Sequence, residues 1–142
     1  MFKLRSSSLI GAAVLAPLLV GCARHPPLPP VVGAEGETAA RAAFEKFTEA
    51  VDRGDQDKVW GGLSARSQYR LQGGGEGEKK TTGDRTKVLE TVRKAVGRNP
   101  KVKDARGTRA GVNIEIETAP GKTREFEMVL EDGAWKVNLF SS

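Results

Sequence analysis

Apolar residues recur along this chain with three different spacings, and each spacing predicts a different kind of segment. Leu9 to Val20 (LIGAAVLAPLLV) is an apolar run of twelve. From Thr38 to Gly97 the apolar positions follow a 3.6-residue period. From Lys101 onward they alternate with polar ones, the period of a strand with one buried face.

In the middle region Ala40, Phe44, Phe47 and Val51 form one stripe, with Arg41, Glu45, Lys46 and Glu49 facing away. The spacing predicts a helix from a Thr38 cap to about Arg53, ended by Gly54 in the left-handed cap conformation. Asp55 is placed to cap a short helix carrying Val59, Trp60 and Leu63, and Ser64 starts another with Tyr69 and Leu71. Gly73 to Gly83 (GGGEGEKKTTG) has no apolar residue and reads as a loop. Asp84 then caps a helix with Val88, Leu89, Val92 and Val96 inside, and Asn99-Pro100 blocks its continuation.

In the last region Val112, Ile114 and Ile116 alternate with Asn113, Glu115 and Glu117. Phe126, Met128 and Leu130 repeat the pattern, as do Trp135, Val137 and Leu139. Turns fall at Ala119-Pro120-Gly121-Lys122 and at Glu131-Asp132-Gly133-Ala134, the latter with the Asp-Gly pair of tight hairpins. A strand over about Val102 to Arg109 would make four. The expectation is an α+β domain over 38–142: N-terminal helices packed on the apolar face of a curved antiparallel sheet of about four strands.

The first segment reads differently. Lys3 and Arg5 precede the apolar run, no acid does, and Gly21-Cys22 follows it. A basic start, an apolar stretch and small residues before a cut describe a secretory signal peptide over 1–21. The run falls short of the roughly 20 residues that span a bilayer, and Pro17 interrupts it. Leu19-Val20-Gly21-Cys22 resembles the lipobox of bacterial lipoproteins. That resemblance implies cleavage between Gly21 and Cys22, a diacylglyceryl group on the Cys22 sulfur, and a further acyl chain such as palmitate on the new amine. Sulfur is needed because the thiolate is the nucleophile. The implied location is the cell envelope, anchored to a membrane by lipid. Ala23 rather than Asp after the cysteine favours the outer membrane, facing periplasm or surface, if the cell is Gram-negative.

Residues 22–37 then form the expected tether. Pro26, Pro27, Pro29 and Pro30 favour an extended polyproline segment suited to a spacer. A proline-motif ligand for a partner domain is the other reading.

Charge changes the picture modestly. Removing Lys3 and Arg5 from 23 basic residues leaves 21 against 18 acidic, a net of +3. The distribution is uneven: Leu63 to Ala110 holds thirteen Lys or Arg and five Asp or Glu, and Gly111 to the end holds three against six. Lys87, Arg93, Lys94, Arg98, Lys101 and Lys103 make up the candidate basic patch, flanked by Lys79 and Lys80. One reading is a solvated helix face. The other is a surface that meets anionic headgroups, glycan or an acidic partner. Aromatic residues are not interleaved with this run, which speaks against nucleic acid.

Two phrases carry a family resemblance. Phe44, Phe47, Ala50, Gly54, Asp55, Val59, Trp60, Leu63 and Ser64 resemble the opening helices of small bacterial lipoproteins of the DUF4878 or lumazine-binding-like type. Glu131 to Phe140 (EDGAWKVNLF), with Gly133, Trp135, Lys136 and Val137, resembles their closing strand. Both belong to the nuclear transport factor 2-like (NTF2-like, cystatin-like α+β) superfamily, and the resemblance covers about 38–142. It implies a cone between helices and bent sheet that can hold a small ligand. The glycine-rich stretch after Gln72 departs from the pattern. Phe44, Phe47, Trp60, Tyr69, Phe126 and Trp135 are then either core or the lining of that pocket.

Catalysis is not expected. The only histidine, His25, lies in the tether, and Cys22 is the only cysteine. A 38–142 domain therefore has no thiol nucleophile, His-based triad or His metal site, and calls for no cofactor. Glu115, Glu117, Glu125 and Glu127 alternate opposite to the apolar set and should face water, two of them placed to pair across a hairpin with Lys122 and Arg124. The expected function is a membrane-anchored, non-catalytic envelope module that binds a small apolar ligand or an envelope protein. A structural protein touching anionic surfaces through the basic patch is the alternative, and an NTF2-like enzyme a more remote one.

Overall fold

The computed structural model describes residues 27–74 and 84–140. Residues 1–26, including the expected leader and Cys22, lie outside that range, as do Lys79 and Lys80. Among the described residues four helices precede four strands: α1 (Ala34–Arg53), α2 (Gln56–Gly62), α3 (Ala65–Leu71), α4 (Arg85–Val96), β1 (Lys101–Gly107), β2 (Val112–Ala119), β3 (Lys122–Glu131) and β4 (Ala134–Asn138). The fold is α+β, with one antiparallel sheet in the order β1-β2-β3-β4.

α1 buries the stripe its spacing predicts: Ala40, Phe44, Phe47, Ala50 and Val51. It begins four residues before Thr38, with Gly33 at the cap position. Thr38 bonds back to the Ala34 carbonyl at 2.9 Å instead of capping. Glu35 and Glu37 in the first turn suit the positive helix start, and Glu37 also accepts a 2.7 Å bond from the Gly107 amide. The last residues of the expected tether are therefore helix docked on β1. Gly54 closes α1 at φ 74°, its N–H on the carbonyls of Ala50 and Val51.

Asp55, Ser64 and Asp84 cap α2, α3 and α4 through bonds to the amides of Lys58, Ser67 and Thr86. Leu63 leaves α2 and bridges in parallel to Val137. The Asp132-Gly133 turn joins β3 to β4 with φ of 51° and 77°, both left-handed as a two-residue type I′ hairpin requires.

Val112, Ile114, Ile116, Phe126, Met128 and Val137 form the buried face of the sheet. β1 joins that face only through a register shift between Val102 and Asp104, which leaves Lys103 without an opposite residue in the strand ladder. Val102 then opposes Ile116, and Ala105 opposes Ile114. The shift explains why β1 shows no clean alternation in sequence.

Both sheet edges are covered. On β1, Arg41 donates to the Val102 carbonyl, Glu37 accepts from Gly107, and the Val32 amide donates to Thr108. On β4, the Ser64 amide donates to the Val137 carbonyl, and the Ser67 hydroxyl accepts from Leu139 at 2.9 Å. Such cover removes the template an open edge offers to another chain. Ser67 also bonds Ser64 at 3.0 Å and is fully buried. Ser67→Ala leaves the Leu139 amide without this partner. The expected loss is about 1–3 kcal/mol, read by chemical denaturation with an unchanged m-value.

Candidate functional site at the basic end of the fold

The six aromatic candidates do not share one environment. Phe44 is fully buried, its ring 6.3 Å from that of Phe47 and 5.8 Å from that of Phe126. These three rings belong to the core. Trp60 is half-buried with the Arg85 guanidinium 3.9 Å over its ring, and half-buried Trp135 packs against the edge of the core. Tyr69 is 63% exposed on α3. The structure joins Phe44, Phe47 and Phe126 and sets Tyr69 apart from them.

The basic candidates also separate by role. Arg93 donates from Nε (3.2 Å) and Nη2 (3.1 Å) to the Val51 carbonyl, bracing the end of α1. Lys103 pairs with Glu117 at 3.1 Å. Lys94, Arg98 and Lys101 are exposed and make no ion pair among the described residues. Lys87 is exposed on α4, about 9 Å along the helix axis from Arg93 by the rise per residue, and stands off from the others.

Arg124 was not in the candidate patch, yet it belongs to this end. It opposes Ile116 on the helix-facing side of the sheet, and Nη1 donates to the Ala95 carbonyl at 2.8 Å. Its sequence signal is the alternation Arg124, Phe126, Met128, which places it inward. The strand acids differ from expectation accordingly: Glu117 pairs with Lys103, and Glu115 lies 3.8 Å from Arg106, so β1 supplies the partners.

Two clefts meet here. One of about 370 Å³ is lined by Asp52, Arg93, Arg98 and Asn99. The other, of about 340 Å³, is lined by Asn99, Lys101, Glu117, Thr118, Ala119 and Pro120. Asn99 belongs to both and holds φ 48°, a conformation asparagine tolerates better than most residues. The ends of α1 and α4, the start of β1 and the β2–β3 turn thus converge on it.

The Lys103 ammonium and the Gly121 amide hold the Glu117 carboxyl below its ordinary range, with a smaller contribution from Lys101. The carboxylate is therefore engaged internally. A depressed folded value means that its contribution to stability is present above the unfolded value and fades as pH falls through the folded one. Lys103→Ala should raise the Glu117 titration midpoint in a carboxyl NMR titration; an unmoved midpoint would contradict the pairing.

Among the described residues no group of three His, Cys, Asp or Glu side chains is placed to hold a metal. No described helix is long and apolar enough to cross a membrane. What this end offers chemically is a concave setting in which Arg93, Arg98 and Lys101 outnumber the carboxylates of Asp52 and Glu117. Family models, curated proteins and solved structures return no match to the chain.

Proposed function

We propose that the chain is a lipid-anchored lipoprotein of the cell envelope whose folded domain is a non-catalytic module that contacts an anionic partner through its basic end. The observation that carries this reading is the pair of clefts sharing Asn99, where Arg93, Arg98 and Lys101 outnumber Asp52 and the internally paired Glu117. Arg98 and Lys101 are exposed, so their charge is available to a partner at no desolvation cost beyond contact. The lipobox ending at Cys22 supports the anchor. Helices followed by an antiparallel meander support a place near the NTF2-like group. The basic end is favoured over an aromatic pocket because Phe44, Phe47 and Phe126 are spent on the core.

The test is retention on a phosphate-bearing resin. The unaltered chain should be retained at low salt and elute as salt screens the charges, within a Debye length of about 10 Å at 0.1 M. Changing Arg98 and Lys101 together to Glu should move elution to clearly lower salt while thermal unfolding stays put. Arg93 and Lys103 are excluded because their substitution would disturb α1 or Glu117. Elution at unchanged salt ends the proposal.

A further inference from the structure

The end of the fold where the chain enters carries an uncovered apolar strip. The alternation Phe126, Met128, Leu130 puts Leu130 on the helix-facing side of β3, yet Leu130 is more than half exposed. Its partner across the hairpin is Trp135, which is half-buried. Trp135 in turn lies beside the chain's entry: a Cβ on Gly36 would overlap the Val32 side chain and sit 3.6 Å from the Trp135 ring. Val32 packs against the core and donates its amide to the Thr108 carbonyl at 3.0 Å, so the entry point is fixed. Leu28 and Val31, on the stretch leading into it, are also more than half exposed. Among the described residues Tyr69 is the one other large apolar side chain so exposed.

Chain length sets which surface lies within reach of this strip. Leu28 comes six residues and Val32 ten residues after Cys22. Stretched as polyproline, those lengths reach about 19 Å and about 31 Å, and less in any slacker form. α1 runs away from the entry for twenty residues, which puts the basic end about 30 Å farther off. With lipid on Cys22, the strip is held beside the headgroup layer with slack to spare. The basic end reaches that layer only with the tether drawn out alongside the domain, and a short linkage favours the nearer contact. Charge is close to balance at the entry end: Glu35, Glu37, Glu131 and Asp132 stand with Arg66, Arg109 and Lys136. Glu37 and Glu131 are also bonded to the amides of Gly107 and Ala65. The single carboxylate in excess weakly opposes an anionic surface and is indifferent to a zwitterionic one. Apolar contact therefore decides, and a tryptophan beside leucine and valine suits the boundary between headgroups and acyl chains.

We infer, resting on the lipid-anchor part of the reading above and independently of its anion contact, that Leu28, Val31, Leu130 and Trp135 form an edge that dips into the headgroup layer of the anchoring bilayer.

The experiment uses the lipidated full chain in bilayers of phosphatidylcholine brominated near the top of its acyl chains, which quench tryptophan on contact. In a W60F chain the emission comes from Trp135; in a W135F chain it comes from Trp60, which is covered by Arg85. Trp135 should be quenched severalfold more than Trp60, equally at low and high salt, because apolar contact is not screened. L28S/V31S/L130S should bring Trp135 down to the level of Trp60 while thermal unfolding stays put, since the three side chains are exposed. Trp135 left unquenched in a chain that still floats with the bilayer overturns the seating and leaves the anchor intact. A dimeric mass in detergent micelles that L130S makes monomeric, with Trp135 unquenched, gives the strip to a second copy and overturns it too. Quenching that disappears in a phosphatidylcholine–phosphatidylglycerol mixture and returns with R98E/K101E hands the contact to the basic end, with the same consequence. A chain that comes from its host without acyl chains and does not float removes the anchor reading and the seating together.

Discussion

Replacing Phe44 with alanine is expected to cost about 3–5 kcal/mol of stability, the usual range for removing a buried aromatic ring. Phe44 has no solvent exposure and touches both the helical and the sheet halves of the core: Phe47 from α1 and Phe126 from β3. Its removal opens a void that neither layer can close alone, because α1 also carries Ala40 and Val51 against the same core. Domains of this size are stable by about 5–15 kcal/mol, so the loss takes a large share. Each kcal/mol moves the Tm of a domain near 100 residues by about 4–8 °C, which places the expected drop above about 12 °C. Tyr69→Ala is the control. That ring is 63% exposed, and its loss should stay within about 0.5 kcal/mol. Comparable shifts for the two variants would mean that Phe44 is not where the layers join.

The contrast between these two residues also shows what could be read from the chain in advance. The spacing of Phe44 fixed its face; Tyr69 lies on a seven-residue helix too short for a stripe to decide. Caps at Asp55, Ser64 and Asp84 were legible because a side-chain acceptor at that position satisfies an amide the helix leaves open. Thr38 carried the same signal and lost to tertiary contact: Glu37 on Gly107 and Val32 on Thr108 hold an earlier helix start. β2 and the Phe126–Met128 stretch of β3 were legible from alternation, but Leu130, expected on the same face, is exposed, and β1 was obscured by the register shift at Lys103. The basic candidates were visible as a cluster, but not their division of labour. Sequence cannot tell that Arg93 spends its guanidinium on Val51, or that Arg124 reaches Ala95, because those contacts join residues 42 and 29 positions apart. Nor does it single out Asn99, which matters only because the ends of two helices and a hairpin meet there.

Cys22→Ser should abolish anchoring altogether, the largest functional effect expected of any single substitution. In the proposed lipobox reading, lipidation proceeds by attack of sulfur as thiolate, and an alcohol is far less acidic and a poorer nucleophile under the same conditions. Without the thioether the leader has no signal for removal before residue 22, so an uncut, unacylated precursor should accumulate. Intact mass would then lack both the acyl chains and the cleavage. Anchoring depends on those chains: each buried CH₂ contributes about 0.8 kcal/mol, and two chains hold where one only visits the membrane. Cells carrying the variant should lose the mature form from detergent-phase extracts. The folded domain should be indifferent, since Cys22 precedes Val32, the first of the described residues with a backbone bond to the sheet. Retention by the purified variant of phosphate-resin binding that depends on Arg98 and Lys101 would separate the proposed lipid anchor from the proposed anion contact. A mature, acylated species made from the serine variant, or a native mature protein beginning at another residue, would overturn the anchor while leaving the clefts around Asn99 to be judged on their own test.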